Sequence, residues 1–199
     1  MTIKFQIPLT MTFLASMLVV APGCPSDDGE GEEEVGETAG DDQSDTETEG
    51  GVEVDEEAVL AEIAGYQDNF TLINAAPFES GAHAGGGIMV NVYVNSANAA
   101  QYKSINPDDP EGTATTFPEG TIVVKEHLDD MGNPNGGTAM YKAPAGYNSD
   151  NNDWWFGMGD LLGSNLEASG PDLMGCIGCH SPLTDTDYLV GIPADQQTP

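Results

Sequence analysis

The segment Phe117-Pro118-Glu119-Gly120-Thr121-Ile122-Val123-Val124-Lys125-Glu126-His127 lies past the middle of a chain of 199 residues. Its Pro-Glu-Gly step is typical of a turn, and the β-branched run after the turn predicts a strand. Successive side chains of a strand point to opposite faces, so Lys125 should share a face with Val123 while Glu126 lies on the other. Because both faces carry apolar residues, we expect both sides of this strand to be partly buried.

Segments on either side of this strand have a related character. The β-branched residues of 88–95 predict a strand, and 138–142 and 153–158 predict two more, separated by polar loops. Residues 54–63 predict a helix, because apolar residues recur at helical spacing behind acids that suit the positive end of the helix dipole. A short helix is predicted around residues 97–102. The sequence therefore predicts an α+β fold that is mainly an antiparallel sheet with a few short helices.

The charge of the chain limits its partners. Asp and Glu number 34 against four basic residues, all of them lysines, and the formal net charge at pH 7 is -30. Basic side chains supply much of the affinity for nucleic acids and for anionic membrane surfaces, so both kinds of partner are excluded. Any membrane contact has to come from a lipid anchor.

The charges also divide the chain into three parts. Residues 1–24 contain no acid, whereas residues 25–57 hold 16 of the 34 acids and almost nothing apolar to bury. Such a segment cannot offset its ordering entropy, so we expect 25–57 to be a disordered acidic tether. The remaining residues, 58–199, have the length and apolar content of one folded domain.

The first 24 residues resemble an export signal. Lys4 supplies a positive start, and residues 13–20 form an apolar stretch too short to cross a bilayer. The stretch ends at Ala21-Pro22-Gly23-Cys24, which resembles a bacterial lipobox and predicts lipidation of Cys24. The alternative is an ordinary secretory signal with a cysteine at this position by chance. The lipobox interpretation predicts an exported lipoprotein that is periplasmic or tethered to the outer membrane.

A second motif reads Cys176-Ile177-Gly178-Cys179-His180, the attachment sequence of a c-type haem. The spacing puts both sulfurs on one side of a helical turn, where they can bond the two vinyl groups of one porphyrin, and His180 becomes the proximal iron ligand. The alternatives are a redox-active dithiol and half of a zinc site. A dithiol site would follow a strand, and a zinc site needs a further ligand pair, whereas His83 and His127 are isolated. We therefore expect one covalent haem c per chain.

Several segments together resemble the cytochrome P-460 family in order and spacing. They are 93–95, 117–126, 140–142, 153–155, 176–181 and 187–188. The resemblance covers about residues 80–190 and implies a mainly antiparallel sheet with a five-coordinate c-type haem, commonly in a homodimer. Family members oxidise hydroxylamine and bond a lysine to the porphyrin edge, a role that would fall on Lys125. A related branch, the β-type cytochromes c prime, shares the fold without this crosslink and binds nitric oxide.

Two features of the predicted site stay open at this point. A strand lysine is usually a surface residue with a buried stem, although in a chain with so few cations each lysine is harder to dismiss, Lys142 included. The family also relies on a distal carboxylate as proton acceptor. The first acid after His180 is Asp185, and Glu126 should lie on the strand face opposite Lys125, so the catalytic base is unassigned.

Three functions are compatible with the sequence. The first is oxidation of hydroxylamine or nitric oxide at an open distal site. The second is non-catalytic nitric oxide binding in an apolar pocket lined by Tyr93, Phe156 or Trp155. The third is electron transfer, which requires a sixth iron ligand, although the predicted strands exclude the small all-helical electron-transfer cytochromes. The candidates for a sixth ligand are Met140, Met158, His83 and His127. The redox partner is not identified by any motif.

Overall fold

The computed structural model describes residues 52–81, 83, 86–160 and 165–199. The predicted signal peptide with Cys24 and most of the predicted tether lie outside these residues. Of the tether, residues 52–57 are described, and Glu56 and Glu57 form the first turn of a helix, so the folded part begins before residue 58. No helix among the described residues is both long and apolar enough to span a bilayer.

Short helices and a large set of strands make up the regular structure. The α-helices are α1 (Glu56–Ile63), α2 (Tyr66–Asn69), α3 (Ala99–Lys103) and α4 (Met174–His180). The strands are β1 (Phe70–Leu72), β2 (Phe78–Ser80), β3 (Ile88–Asn95), β4 (Ile122–Leu128), β5 (Pro134–Lys142), β6 (Trp154–Asp160) and β7 (Asn165–Gly170). The α+β class with a mainly antiparallel sheet is confirmed.

The strands form one antiparallel sheet in the order β1-β3-β4-β5-β6-β7, and β2 pairs with the same edge of β3 as β1 does. The strand that carries Lys125, β4, therefore lies between two long neighbours. The register aligns side chains of the four central strands into rows that share one face, here called the site face. One row is Val92, Lys125, Thr138 and Met158, and the next is Val94, Val123, Met140 and Phe156.

Each face of the sheet carries its own hydrophobic core. The site face packs against Tyr102 of α3 and against Leu189 and Ile192 of the C-terminal segment. The opposite face is covered by α1 and α2, whose Ile63 and Tyr66 are fully buried. Both faces of β4 are buried, as its sequence predicts, because α1 and α2 cover one side and the C-terminal segment covers the other.

The predicted elements are present with shifted ends. The strand predicted over 138–142 begins at Pro134, and the helix predicted over 54–63 begins at Glu56, where the Asp55 side chain accepts a hydrogen bond from the backbone N–H of Ala58 at 3.1 Å. The edge strands β1, β2 and β7 were not predicted, because β1 and β2 have only three residues each and β7 contains no β-branched or aromatic residue.

Candidate functional site

The site face and the segments that cover it enclose an inner cavity of about 450 Å³, part of it open to solvent. The sheet contributes side chains from both cross-strand rows, and the covering segments contribute α3, α4 and the loop between β2 and β3. An outer cavity of about 850 Å³ adjoins it along α4. Four residues line both cavities: His83, Thr138, Cys176 and His180.

Helix α4 brings the predicted attachment motif to these cavities. Cys176 lines both of them and Cys179 lines the outer one, and three residues along a helix place the two side chains on neighbouring positions of one face. Burial raises the pKa of the Cys176 thiol. The motif therefore presents both sulfurs and the His180 imidazole to one continuous space.

The hydrogen bonding of His180 leaves one ring nitrogen for a metal. Its Nδ1 lies 2.7 Å from the backbone carbonyl oxygen of Tyr188. A carbonyl oxygen can only accept, so Nδ1 carries the proton and Nε2 keeps its lone pair. Burial lowers the pKa of His180, and nearby Lys125 lowers it too, although the bond to Tyr188 acts in the opposite direction. A neutral imidazole oriented by a carbonyl is the usual form of a metal-binding histidine.

The Tyr188 carbonyl is positioned by an unusual turn. Asp187 and Tyr188 both have positive φ, 51° and 69°, which costs non-glycine residues about 1–3 kcal/mol each unless the surroundings hold them there. Asp187 is 2% exposed and accepts hydrogen bonds at 2.8 Å from the Lys142 ammonium, to both carboxylate oxygens, and from the Phe117 backbone N–H. Trp154 Nε1 donates to the Asp187 backbone oxygen at 3.0 Å. These contacts hold the turn, so Lys142 is a structural residue of the site.

Lys125 lines the inner cavity together with His180. It makes no hydrogen bond or ion pair with any described residue, unlike Lys142, which pairs with Asp187, and Lys103, which donates to Thr198. Burial lowers the pKa of Lys125 to about 8. A considerable fraction of this side chain is therefore a neutral amine near pH 8, able to act as a nucleophile toward a group held in the cavity.

The carboxylates near the motifs do not reach the inner cavity. Glu126 is 2% exposed on the opposite face, where it accepts hydrogen bonds from Tyr66 at 2.6 Å, Gln67 at 2.5 Å and Asn91 at 2.7 Å. Asp185 is exposed in a 3₁₀ helix after α4. Among the described residues, none that lines the inner cavity is acidic. The predicted separation of Glu126 from Lys125 is confirmed, and no other described carboxylate lines the inner cavity, although Asp172 lines the outer one.

Two further histidines lie beside the site. The centre of the His83 ring is 6.2 Å from that of His180 and 5.7 Å from that of His127. His83 Nδ1 lies within hydrogen-bonding distance of Thr138 Oγ1, at 3.2 Å. Burial, with a smaller contribution from Lys125, lowers the pKa of His83 to about 3 and also lowers that of His127. His127 does not line the inner or the outer cavity, and its Nε2 is buried without a partner among the described residues.

The predicted pocket lining is partly wrong. Phe156 lines the inner cavity, but Tyr93 and Trp155 belong to the core on the opposite face, because their register pairs them with Val124 and Tyr141. Of the sixth-ligand candidates, Met140 and His83 line the inner cavity and Met158 lines the outer one. Sequence reasoning missed Thr138, Tyr102 and the Tyr188 carbonyl, whose roles depend on cross-strand register and backbone geometry that no local motif reports.

Comparison with known proteins identifies the family. No curated protein matches the chain. The family model described as Cytochrome P460 matches residues 63–190, which is more than half of the chain and includes β4, α4 and Tyr188. This family implies a haem cofactor, and the residues present fit one: an oriented, neutral His180, two cysteines on the same helix and a largely apolar cavity wall. The chain therefore belongs to the cytochrome P460 family of haem cytochromes.

Proposed function

We propose that this protein is an exported mono-haem c-type cytochrome that acts on small nitrogen compounds, hydroxylamine or nitric oxide, at a distal position these molecules can reach. Once both are reduced thiols, Cys176 and Cys179 would hold the haem by adding their S–H bonds across its two vinyl groups, a step without net oxidation or reduction. His180 would be the proximal ligand through Nε2, since its Nδ1 is committed to the Tyr188 carbonyl. The bound haem supplies the redox chemistry.

One observation carries the enzymatic form of this proposal: Lys125 lines the same cavity as His180, unpaired and with a lowered pKa. A partly buried amine without an ion pair is expensive to keep in a structural role. It is, however, the form of lysine that can bond to a porphyrin edge. That bond replaces one N–H and one ring C–H by N–C, so two electrons and two protons must leave. A peroxide, reduced to two molecules of water, would accept both.

The remaining residues of the chain provide binding and exclusion of water. Val92, Val123, Met140 and Phe156 present apolar surface to the cavity, and Tyr102 commits its hydroxyl to the Val190 carbonyl oxygen at 2.5 Å. Burial raises the pKa of Tyr102, which keeps this phenol neutral and unavailable as an acid. A small uncharged nitrogen compound therefore suits the cavity better than a charged one.

A second candidate function is non-catalytic nitric oxide binding, as in the β-type cytochromes c prime. The observation that favours it is the lack of a carboxylate among the described residues that line the inner cavity. Oxidation of hydroxylamine releases protons as well as electrons, so it benefits from a nearby acceptor. Binding of nitric oxide requires none.

Location and partners form part of the same proposal. A lipidated Cys24 and the acidic residues after it would hold the domain at a membrane surface outside the cytoplasm. A redox partner would then exchange electrons with the haem edge, and the protein would be a homodimer as is common in the family.

Tryptic mass spectrometry separates the two functions, because the chain has lysines only at 4, 103, 125 and 142 and no arginine. A crosslinked Lys125 resists cleavage, so the haem should join peptide 104–142 to peptide 143–199. Without the crosslink, peptides 104–125 and 126–142 appear separately, and the haem stays on 143–199 alone.

Lys125→Arg is the matched control, since it keeps the charge and the cleavage site but cannot form the bond. We expect this variant to show an ordinary c-type spectrum and no hydroxylamine oxidation. Haem found on the cysteines alone in the wild type, with an ordinary spectrum, would favour nitric oxide binding.

A further inference from the structure

His83 and His180 both line the inner cavity, with their ring centres 6.2 Å apart. Each has its Nδ1 beside an oxygen, Thr138 Oγ1 for His83 and the Tyr188 carbonyl for His180. Nε2 of His180 keeps its lone pair for another partner, and Nε2 of His83 does so in the tautomer whose Nδ1 donates to Thr138 Oγ1. When one ring nitrogen of a histidine binds a metal, the other usually forms a hydrogen bond to an oxygen of the protein.

The separation of the two rings distinguishes between two roles for His83. Two metal–imidazole bonds of about 2 Å, with roughly 1 Å from each nitrogen to its ring centre, place the ring centres roughly 6 Å apart. The structure has 6.2 Å. A histidine that donated a hydrogen bond to an iron-bound ligand would lie roughly 9 Å away in a straight arrangement, because a bond of about 2 Å and a hydrogen bond of about 2.9 Å would intervene.

The angle between the rings, 85°, is compatible with a shared metal, since each ring can rotate about its own metal–nitrogen bond. The other candidates for a sixth ligand, Met140, Met158 and His127, lie elsewhere in the site. Met158 lines only the outer cavity, and His127 lines neither cavity. Met140 lines the inner cavity from the sheet, in the same row as Val123 and Phe156.

From this geometry we infer that His83 Nε2 is the sixth ligand of the haem iron in the resting protein, and that small ligands bind by displacing it. The inference rests on the haem proposed above and narrows the ligands such a site accepts. A molecule that binds iron strongly, such as nitric oxide, can replace an imidazole, whereas water cannot. Nitric oxide or hydroxylamine would therefore reach the distal position only by displacing His83, and water would be excluded from it.

The test is electron paramagnetic resonance and absorption spectroscopy of the purified ferric holoprotein. We expect a low-spin spectrum with two imidazole ligands in the wild type and a high-spin spectrum in His83→Ala, which added imidazole returns to low spin. Two controls, His127→Gln and Met140→Leu, should remain low-spin. Thr138→Val removes the partner of Nδ1 and should give a mixture of both spin states, which tests the inference by a change outside the ligand itself.

Nitric oxide binding gives a second readout. If the iron must first release His83, the ferrous His83→Ala protein should bind nitric oxide at least about tenfold faster than the wild type, since the binding-competent fraction is no longer limiting. A high-spin wild type that retains haem on denaturation overturns the role of His83 but leaves the proposed function standing. A low-spin His83→Ala without added imidazole also overturns it. A wild type that holds no haem overturns both.

Discussion

The buried contact between Asp187 and Lys142 should be worth more than an ordinary ion pair, because it holds the turn that orients His180. Asp187→Asn keeps the shape of the side chain but leaves the Lys142 ammonium without its anion, and breaking a buried pair from one side costs about 3–5 kcal/mol. Lys142→Met should cost less, about 1–3 kcal/mol. In that variant Asp187 still accepts from the Phe117 backbone N–H, from Asn152 at 3.2 Å and from Trp154 Nε1 at 3.3 Å.

Urea unfolding of the holoprotein, followed by circular dichroism, measures these costs. The double variant Asp187→Asn/Lys142→Met should lose about 1–3 kcal/mol less than the sum of the two single variants, since the unpaired ammonium is gone. Lys103→Met is the matched control, because Lys103 bonds only to the C-terminal residues and should cost about 1 kcal/mol. Additive losses in the double variant, or a cost for Asp187→Asn no larger than that of the control, would refute this explanation of the turn.

Two other predictions concern Lys125 and Cys24. The experiment uses Cys176→Ser/Cys179→Ser protein produced without haem, so that no haem can be bonded to Lys125. The pKa of Lys125 is about 8 in the folded protein and an ordinary 10.5 in the unfolded chain. Between these pH values the unfolded chain binds more protons, so stability rises with pH across this window. Lys125→Met should therefore stabilise that protein by up to about 3 kcal/mol at pH 7, measured by urea unfolding. The gain should disappear by about pH 10.5. A gain that does not change with pH would show that the pKa of Lys125 is not lowered in the folded protein. Cys24→Ser should move the protein from the membrane fraction to the soluble fraction with its haem still attached, and a wild type that is already soluble would end the lipoprotein interpretation.

The sequence was most informative where a local pattern determines the outcome. Alternation along β4 correctly placed Lys125 and Glu126 on opposite faces, because strand periodicity is a property of the backbone alone. The spacing of Cys176 and Cys179 likewise predicted two side chains on one helix face, and α4 has them there.

The errors arose where the answer depends on distant parts of the chain. Trp154 and Trp155 are both buried, so their residue type does not predict which of them lies on the site face. The register of β6 against Tyr141 and Lys142 places Trp154 on the site face and Trp155 on the opposite face. The role of Lys142 depends on Asp187, which is 45 residues away in the chain. His83 lies near His180 although it belongs to no strand or α-helix, and hydrophobic periodicity cannot predict the position of such a residue.

The central claim is that one haem is covalently held by the cysteines of α4, and the mass of the acid-denatured protein tests it most directly. The account predicts that the wild type keeps the mass of one haem after denaturation. Cys176→Ser/Cys179→Ser should lose this mass unless a bond to Lys125 retains the haem. In that case, adding Lys125→Arg to the double variant should remove the remaining haem. A wild-type chain that releases its haem into acidic organic solvent, leaving the mass of the bare polypeptide, would contradict the claim.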